Sequence, residues 1–373
     1  MRIVLALDKF KGTLTALQAC QAVQQGLQRS LPNATFAIHP VADGGDGTVD
    51  ALAACIKGQR PRVRVWNPLK SANVDADFLL AGETAYLEMA AASGLVLLTK
   101  GERDPLHATT YGTGQVIQAA LDHGAQQVVV GLGGSATNDG GTGIAQALGF
   151  RFLDSSSIEL HDLPSELAKL TTIEPPRELP NITWTALADV TNPLLGENGA
   201  TAVYGPQKGV TASTHQQLED GLAHLANVVK RDLNVDFRDA PGAGAAGGCA
   251  FGLMSFFGAV LRPGFEFLAE MSGLEAAIAS ADLVITGEGL LDSQTLSGKA
   301  PAGVAAMAKR LGTPVAAIGG DIVSSDRGTL RKVFQTLVAL TDAVHIEEAL
   351  TNAEVILQDQ AELLGQSLRH QRY

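Results

Sequence analysis

Cysteine is scarce: Cys20, Cys55 and Cys249 are the only three in 373 residues, far apart and with no CxxC pair. That offers neither a disulfide framework nor a zinc site, and it fits a reducing cytoplasm. No segment has 18 uncharged apolar residues for a membrane span, and the apolar run in MRIVLALDKFKG is too short for a signal-peptide core. A soluble cytoplasmic protein is expected, with no membrane partner. Basic residues are in deficit, 27 Lys+Arg against 39 Asp+Glu for a net charge of −12. This balance opposes non-specific nucleic-acid binding, which rests on phosphate neutralisation. An anionic substrate must therefore meet a local basic cluster or a metal ion. With 46% hydrophobic residues and no low-complexity tract or internal repeat, the chain can fill a globular core, read here as two domains.

Several catalytic motifs are also missing. There is no HExxH, GxSxG or kinase HRD and DFG pair, so zincins, α/β-hydrolases and protein kinases lack support. The stretch ITGEGLLDSQTLSGKAP (residues 285–301) fails the Walker A pattern, because Ser293 stands where the first glycine belongs and Ala300 follows Gly298-Lys299. GAGAAG at 242–247 matches GxGxxG, but the segment before it, with Asn234, Asp236, Asp239 and Pro241, is a poor strand.

What is present is an α/β rhythm. Ile3 to Leu7 reads as a buried strand, followed by an amphipathic helix carrying Leu14, Leu17, Val23 and Leu27, with a capping box at Thr15 and Gln18 and Pro32 beyond its end. Strand 35–41 ends in ADGGDGT and leads to helix 49–56. Segments 62–66, 74–80 and 86–90 then read as short antiparallel strands between turns. An α/β region follows, with helix 111–123, strand 127–132, helix 144–148 and strand 182–190. The closing elements are strand 283–286, helix 302–311, strands 314–318 and 333–340, and helix 352–368.

The two N-terminal and three C-terminal strands make five, as many as a flavodoxin-like sheet needs. The expected organisation is therefore one discontinuous domain, 1–61 plus 276–373, interrupted by an inserted α/β domain, 62–275, with the active site in the cleft between them. Ligands of an open parallel sheet bind beyond the carboxyl ends of its strands, where strand order reverses. Those ends carry Asp8, Lys9 and Lys11; Asp43, Gly44, Gly45 and Asp46; Gly287, Glu288, Gly289 and Asp292; and Gly319 with Gly320. An order of 2-1-3-4-5 would bring Asp8 and Lys11 beside Glu288 and Asp292. Each loop alone could be a turn with a helix cap, but glycine-rich turns opening helices are also anion sites. Phosphoryl transfer needs positioned phosphates, a lysine or arginine, carboxylates for Mg²⁺ and an acceptor for the hydroxyl proton, and this pool contains each.

DKFKGTLTA (8–16), PVADGGDGT (40–48), EMAAASGL (88–95), ATTYGTG (108–114), GLGGSATNDGG (131–141), ADVTNPLLG (188–196), YGPQKG (204–209), GAGAAGG (242–248) and ITGEGLLDSQTLSGKAP together resemble the type I glycerate kinases over nearly the whole chain. The resemblance implies a flavodoxin-like domain with an inserted restriction-endonuclease-like α/β domain. It also implies ATP, Mg²⁺ and D-glycerate, with 2-phosphoglycerate the favoured product and 3-phosphoglycerate the alternative. An NAD-dependent dehydrogenase and a nucleotide-binding sensor are the rival readings. The chain departs from the family in reading Leu7-Asp8-Lys9-Phe10-Lys11 where PDSFK is frequent, and in having Leu290 where GEGRxD has arginine. Lys9 could stand in for that arginine if the two loops meet.

On this reading Asp189 is the base or hydroxyl-orienting group, and Lys11 and Lys299 neutralise phosphate or carboxylate charge. Asp8, Gly44, Gly45, Ser135, Asn192, Lys208, Gly287, Gly289 and Ser293 bind substrate or phosphate. Asp43, Glu288 and Asp292 are the Mg²⁺ candidates, with Asp46 a competitor. Either a monomer or a homodimer is compatible with the sequence.

Overall fold

The computed structural model describes residues 1–178, 181–296 and 298–370. The chain divides into two compact units: Met1–Asp43, Asp50–Lys57 and Phe265–Tyr373 form the first, and Gly44–Val49 with Gly58–Gly264 form the second.

The first unit is built on a five-stranded sheet whose spatial order is Thr336–Ala339, Val315–Ile322, Leu283–Leu291, Arg2–Leu7 and Thr35–Ile38. All neighbours are parallel, so in sequence order the strands run 2-1-3-4-5. The reversal falls between Arg2–Leu7 and Leu283–Leu291, where Leu5 pairs with Ile285 and Leu7 with Gly287. Side chains alternate across a strand, and here both faces are covered. Ile3, Leu5, Leu7, Ile285 and Ile318 meet Val23, Leu27, Leu357 and Ala361 from helices Ala16–Ser30 and Ala353–His370. Val4, Ala6, Val284 and Ala317 meet Phe265, Leu274, Ile278, Val304 and Ala308 on the other face. The two helices on the first face cross closely because residue 26 is glycine, whose added Cβ would lie 2.0 Å from the Gln358 carbonyl oxygen. The capping box at Thr15 is formed: Thr15 Oγ1 accepts from Gln18 N, and Gln18 Oε1 accepts from Thr15 N.

Four strands in this sheet differ from expectation: the one read as 35–41 stops at Ile38, the one read as 314–318 runs from Val315 to Ile322 and so takes in Gly319 and Gly320, and two more change as follows. The strand read as ending at residue 286 continues to Leu291, so Gly287, Glu288 and Gly289 are strand residues and not a loop after it. Glycine is what allows this, since a Cβ at Gly287 would lie 1.9 Å from Ile318 O, and one at Gly320 would lie 2.5 Å from Gly289 O. The strand read from 333 is shorter, Thr336–Ala339, because residues 330–334 close a turn around the buried Phe334.

The second unit holds another five-stranded sheet, in the order Val260–Arg262, Thr183–Leu187, Gln127–Gly131, Thr84–Glu88 and Leu79–Ala81. The first four are parallel and the last is antiparallel. Arg62–Trp66 and Asn73–Asp77 form a separate antiparallel pair. Segment 74–80 is thus two strands, broken at Phe78, which is fully buried with its ring edge-on to His123 at 5.6 Å. Strand Thr183–Leu187 is shorter than the expected 182–190, leaving Asp189 in the loop that follows it. The core joins Leu87, Val128, Val130, Trp184 and Ala186 of the sheet to Val116 and Ile117 of helix Tyr111–Asp122 and to Cys249 and Leu253 of helix Ala245–Phe257. Trp184 stacks on Phe257 at 4.5 Å.

Candidate active site

In the first unit, the carboxyl end of strand Arg2–Leu7 is tied to the middle of strand Leu283–Leu291 by Asp8 N, which donates to Gly287 O at 2.8 Å. The Asp8 side chain, 9% exposed, accepts from Lys9 N at 2.6 Å. Burial, then the neighbouring charge of Asp43 and, more weakly, that of Glu288 push its carboxyl up to about 8, against the Lys9 N–H and ammonium. Glu288 is also raised, first by burial. It is partly relieved by Thr295 Oγ1, which donates to Oε1 at 2.8 Å, and by Lys299 Nζ at 3.3 Å from Oε2. Thr295 links this pair to Asp292, whose Oδ1 accepts from Thr295 N at 3.0 Å. Ser293 N donates to Asp326 Oδ2 at 2.7 Å. Lys299 sits at the N-cap of helix Ala300–Leu311, with Pro301 in its first turn.

The structure thus sets Asp8 in the electrostatic field of both Asp43 and Glu288, joins Glu288 to Asp292 through Thr295, and pairs Glu288 directly with Lys299. Lys11 is exposed, and its backbone nitrogen would lie 3.1 Å from a Cβ at Gly289. Leu290 is 42% exposed. Among the described residues, no three or more His, Cys, Asp or Glu side chains form a ready metal cage.

In the second unit, the loops after strands Gln127–Gly131, Thr183–Leu187 and Thr84–Glu88 carry the polar groups. Gly44 and Gly45 pack backbone against backbone on the first of these loops: Gly133 N donates to Gly44 O at 3.3 Å, and a Cβ at Gly133 would lie 2.5 Å from Gly45 Cα. Glu88, not foreseen as a site residue, holds this turn. Its Oε1 accepts from Val49 N at 2.6 Å and its Oε2 from Gly47 N at 3.2 Å. Asp189 Oδ1 accepts from Gly264 N at 2.8 Å, which fixes the carboxylate beyond the strand end. Asn192 Oδ1 accepts from the Tyr204 hydroxyl at 2.6 Å and its Nδ2 donates to Asn198 O at 2.8 Å.

Ser135 and Lys208, 73 residues apart, meet at 2.9 Å. Lys208 is 2% exposed, and its Nζ also donates to Thr137 O at 2.7 Å. Burial pulls its ammonium down to about 7, although Asp139 favours the charge. Asp139 is the second residue missed from sequence. Fully buried, it accepts from Thr110 N and Oγ1, Gly141 N and Gly143 N, fastening ATTYGTG to the SATNDGG loop. An acid between Asn and a glycine pair looks like a turn residue, and its partner Thr110 lies 29 residues away. Lys70, at φ +52°, places its ammonium 4.4 Å over the Tyr111 ring.

GAGAAGG does not form the turn of a dinucleotide fold. No strand precedes it within 234–244, and Ala246, Gly247 and Gly248 are all left-handed, at φ +55°, +67° and +81°. A Cβ at Gly247 would lie 2.0 Å from Thr137 O, so these glycines seat helix Ala245–Phe257 against the Ser135 loop.

The glycerate kinase family model matches residues 3–369. A protein named glycerate kinase from Halalkalibacterium halodurans is 42% identical over 365 residues, 96% of each chain. Glycerate 2-kinase of Escherichia coli K12 is 42% identical over 361 residues, 95% of this chain and 94% of that one. A crystal structure from Salmonella typhimurium LT2, assigned as glycerate kinase 2, superposes with a TM-score of 0.86 at 40% identity, covering 100% of this chain and 99% of the other. Matched along almost its entire length in sequence and in fold, the chain is an enzyme of the glycerate kinase family.

Proposed function

We propose that this protein transfers the γ-phosphoryl group of ATP to D-glycerate and yields 2-phosphoglycerate, with 3-phosphoglycerate the alternative product of the same reaction. The observation that carries the activity is the family match over residues 3–369. The choice of the 2-position is supported by the name of the Escherichia coli relative, glycerate 2-kinase. We also read the first unit as flavodoxin-like, on its all-parallel 2-1-3-4-5 order.

Phosphoryl transfer asks the protein chiefly for positioning and charge compensation. Asp189 orients the attacking hydroxyl and accepts its proton. The Gly264 N–H on Oδ1 holds that carboxylate in one rotamer. Ser135 donates to an anionic oxygen of the substrate, and Asn192, fixed by Tyr204, offers a further polar contact. Lys11 and Lys299 compensate phosphate charge, and Lys299 can exchange its 3.3 Å contact with Glu288 for a phosphate oxygen. Asp8, Gly287, Gly289 and Ser293 in the first unit, and Gly44 and Gly45 in the second, complete the proposed binding set.

Asp43, Glu288 and Asp292 fit Mg²⁺ in the way it usually enters kinases, through one or two carboxylates with phosphate oxygens and water supplying the rest. The Asp8 carboxyl is raised first by burial and then by the charges of Asp43 and Glu288, and that second, electrostatic part is what a nearby cation would relieve. When bound, the ion offsets the charge of the phosphates. The test replaces Asp189 by Asn and Lys299 by Met. Each variant is expected to lose about a hundredfold or more in kcat, the scale of a lost acid–base or charge-stabilising group, with an unchanged melting temperature. Turnover at the parent rate would remove that residue from the mechanism.

A further inference from the structure

Lys208 and Ser135 have complementary limits as hydrogen-bonding groups. An ammonium has three donors and no lone pair, so in the 2.9 Å contact Ser135 Oγ is the acceptor. The serine proton must then point elsewhere, and among the described residues the hydroxyl donates to none. The lysine is held by its second bond, 2.7 Å to Thr137 O, and at 2% exposure it does not reach solvent. Gly247 packs closely on Thr137 O, where a Cβ would lie 2.0 Å away.

We propose that Lys208 is a positioning residue: its buried ammonium forces the Ser135 hydroxyl to act as a donor directed out of the loop, toward the substrate carboxylate. This rests on the reading of Ser135 as a contact to the anionic end of glycerate. A hydroxyl confined to donating suits a carboxylate, which only accepts. It disfavours a ligand presenting an N–H or O–H there, since two donors would face each other.

The arrangement depends on the lysine proton. The charged and titratable groups around Lys208 are Asp139 in the Ser135 loop, which favours the ammonium, and the Cys249 thiol on helix Ala245–Phe257. Burial pushes that thiol well above its usual value, so it stays neutral. Arg103, whose Nη1 donates to Gln207 O at 2.8 Å, is a neighbouring cation, and Lys70 shares the field of Asp139. Burial brings Lys208 to about 7, so its proton leaves within an ordinary assay range. The neutral amine gains a lone pair and can accept the serine proton, which turns the hydroxyl inward. Affinity for the carboxylate then falls as pH rises.

The experiment measures kcat and KM for D-glycerate at saturating Mg·ATP between about pH 6 and 9 for the full chain and for Ser135→Ala and Lys208→Met. The parent KM is expected to rise about tenfold across this range, the value of one charge-assisted hydrogen bond, while kcat changes much less. Ser135→Ala should have a raised KM with no such slope. Lys208→Met, checked for a cooperative melt, should likewise lose the slope, because neither the ammonium nor the neutral amine is there to direct the hydroxyl. A slope that persists in Ser135→Ala, the variant least able to disturb folding, overturns the inference while leaving the activity in place. A parent enzyme that fails to phosphorylate D-glycerate overturns the functional reading, and this inference with it.

Discussion

Asp139 Oδ2 lies 2.7 Å from Thr110 N and 2.8 Å from Thr110 Oγ1, and this one carboxylate joins two loops 29 residues apart in sequence. Both loops belong to the second unit, and the Asp139 loop also supplies Ser135 and the Thr137 carbonyl to Lys208. A cross-link of this kind sets the position of the candidate anion contact before any ligand arrives.

Replacing Asp139 by Ala therefore strands the N–H groups of Thr110, Gly141 and Gly143 in the interior. Unmade buried hydrogen bonds cost about 1–3 kcal/mol each, so a loss of at least ~3 kcal/mol in unfolding free energy is expected. Urea denaturation should show the midpoint displaced accordingly. A midpoint equal to the parent's would mean that the carboxylate is not the fastening described.

Gly247→Ala makes a sharper steric test. The residue sits at φ +67°, and its Cβ would lie 2.0 Å from Thr137 O, a rigid backbone atom. Gly12, at φ +83°, has nothing within 4 Å of the same added atom. Gly12→Ala should cost about 1–2 kcal/mol from backbone conformation alone. Gly247→Ala should cost clearly more and raise KM for glycerate, because the displaced carbonyl is an acceptor for Lys208. Equal melting temperatures for the two variants would contradict the close-approach account.

Lys208 also makes a prediction about stability against pH. Its folded value is about 7 and its ordinary value 10.5. Between these the unfolded chain binds more protons than the folded one, so the free energy of unfolding rises with pH. The cost of burying the charge is felt in full below about pH 7 and is gone above about 10.5. Lys208→Met should flatten this part of the stability curve relative to the parent. Parallel curves from denaturant titrations at pH 7, 8 and 9 would show that the lysine does not titrate in the folded protein.

Much of the first sheet was legible from sequence because a strand covered on both faces leaves a continuous apolar run. Ile3 to Leu7 and Leu283 to Ile285 are such runs. Thr15 and Gln18 announced a helix start that the structure contains. The extension of the third strand to Leu291 was hidden because Gly-Glu-Gly looks like a loop, and only the neighbouring Ile318 carbonyl explains why glycine stands within the strand. Helix Ala245–Phe257 was equally obscure: it is apolar around most of its circumference, which erases the periodicity that marks a surface helix. Helix Ala212–Leu233 carries an apolar stripe in Leu218, Leu222, Leu225 and Val229, yet the sequence reading placed no helix there.

In the site, the lysines and acids at strand ends could be named from sequence, but their pairing could not. Ser135 and Lys208 are far apart along the chain, and nothing in either local sequence shows that the lysine is buried. Glu88 and Asp139 escaped notice because each serves backbone N–H groups of a distant turn.

The most direct measurement is ³¹P NMR of the full chain incubated with ATP, Mg²⁺ and D-glycerate. ADP and a single phosphomonoester resonance, matching 2-phosphoglycerate and dependent on glycerate, are the expected result. ATP left intact, or ADP formed at the same rate without glycerate, would contradict the account.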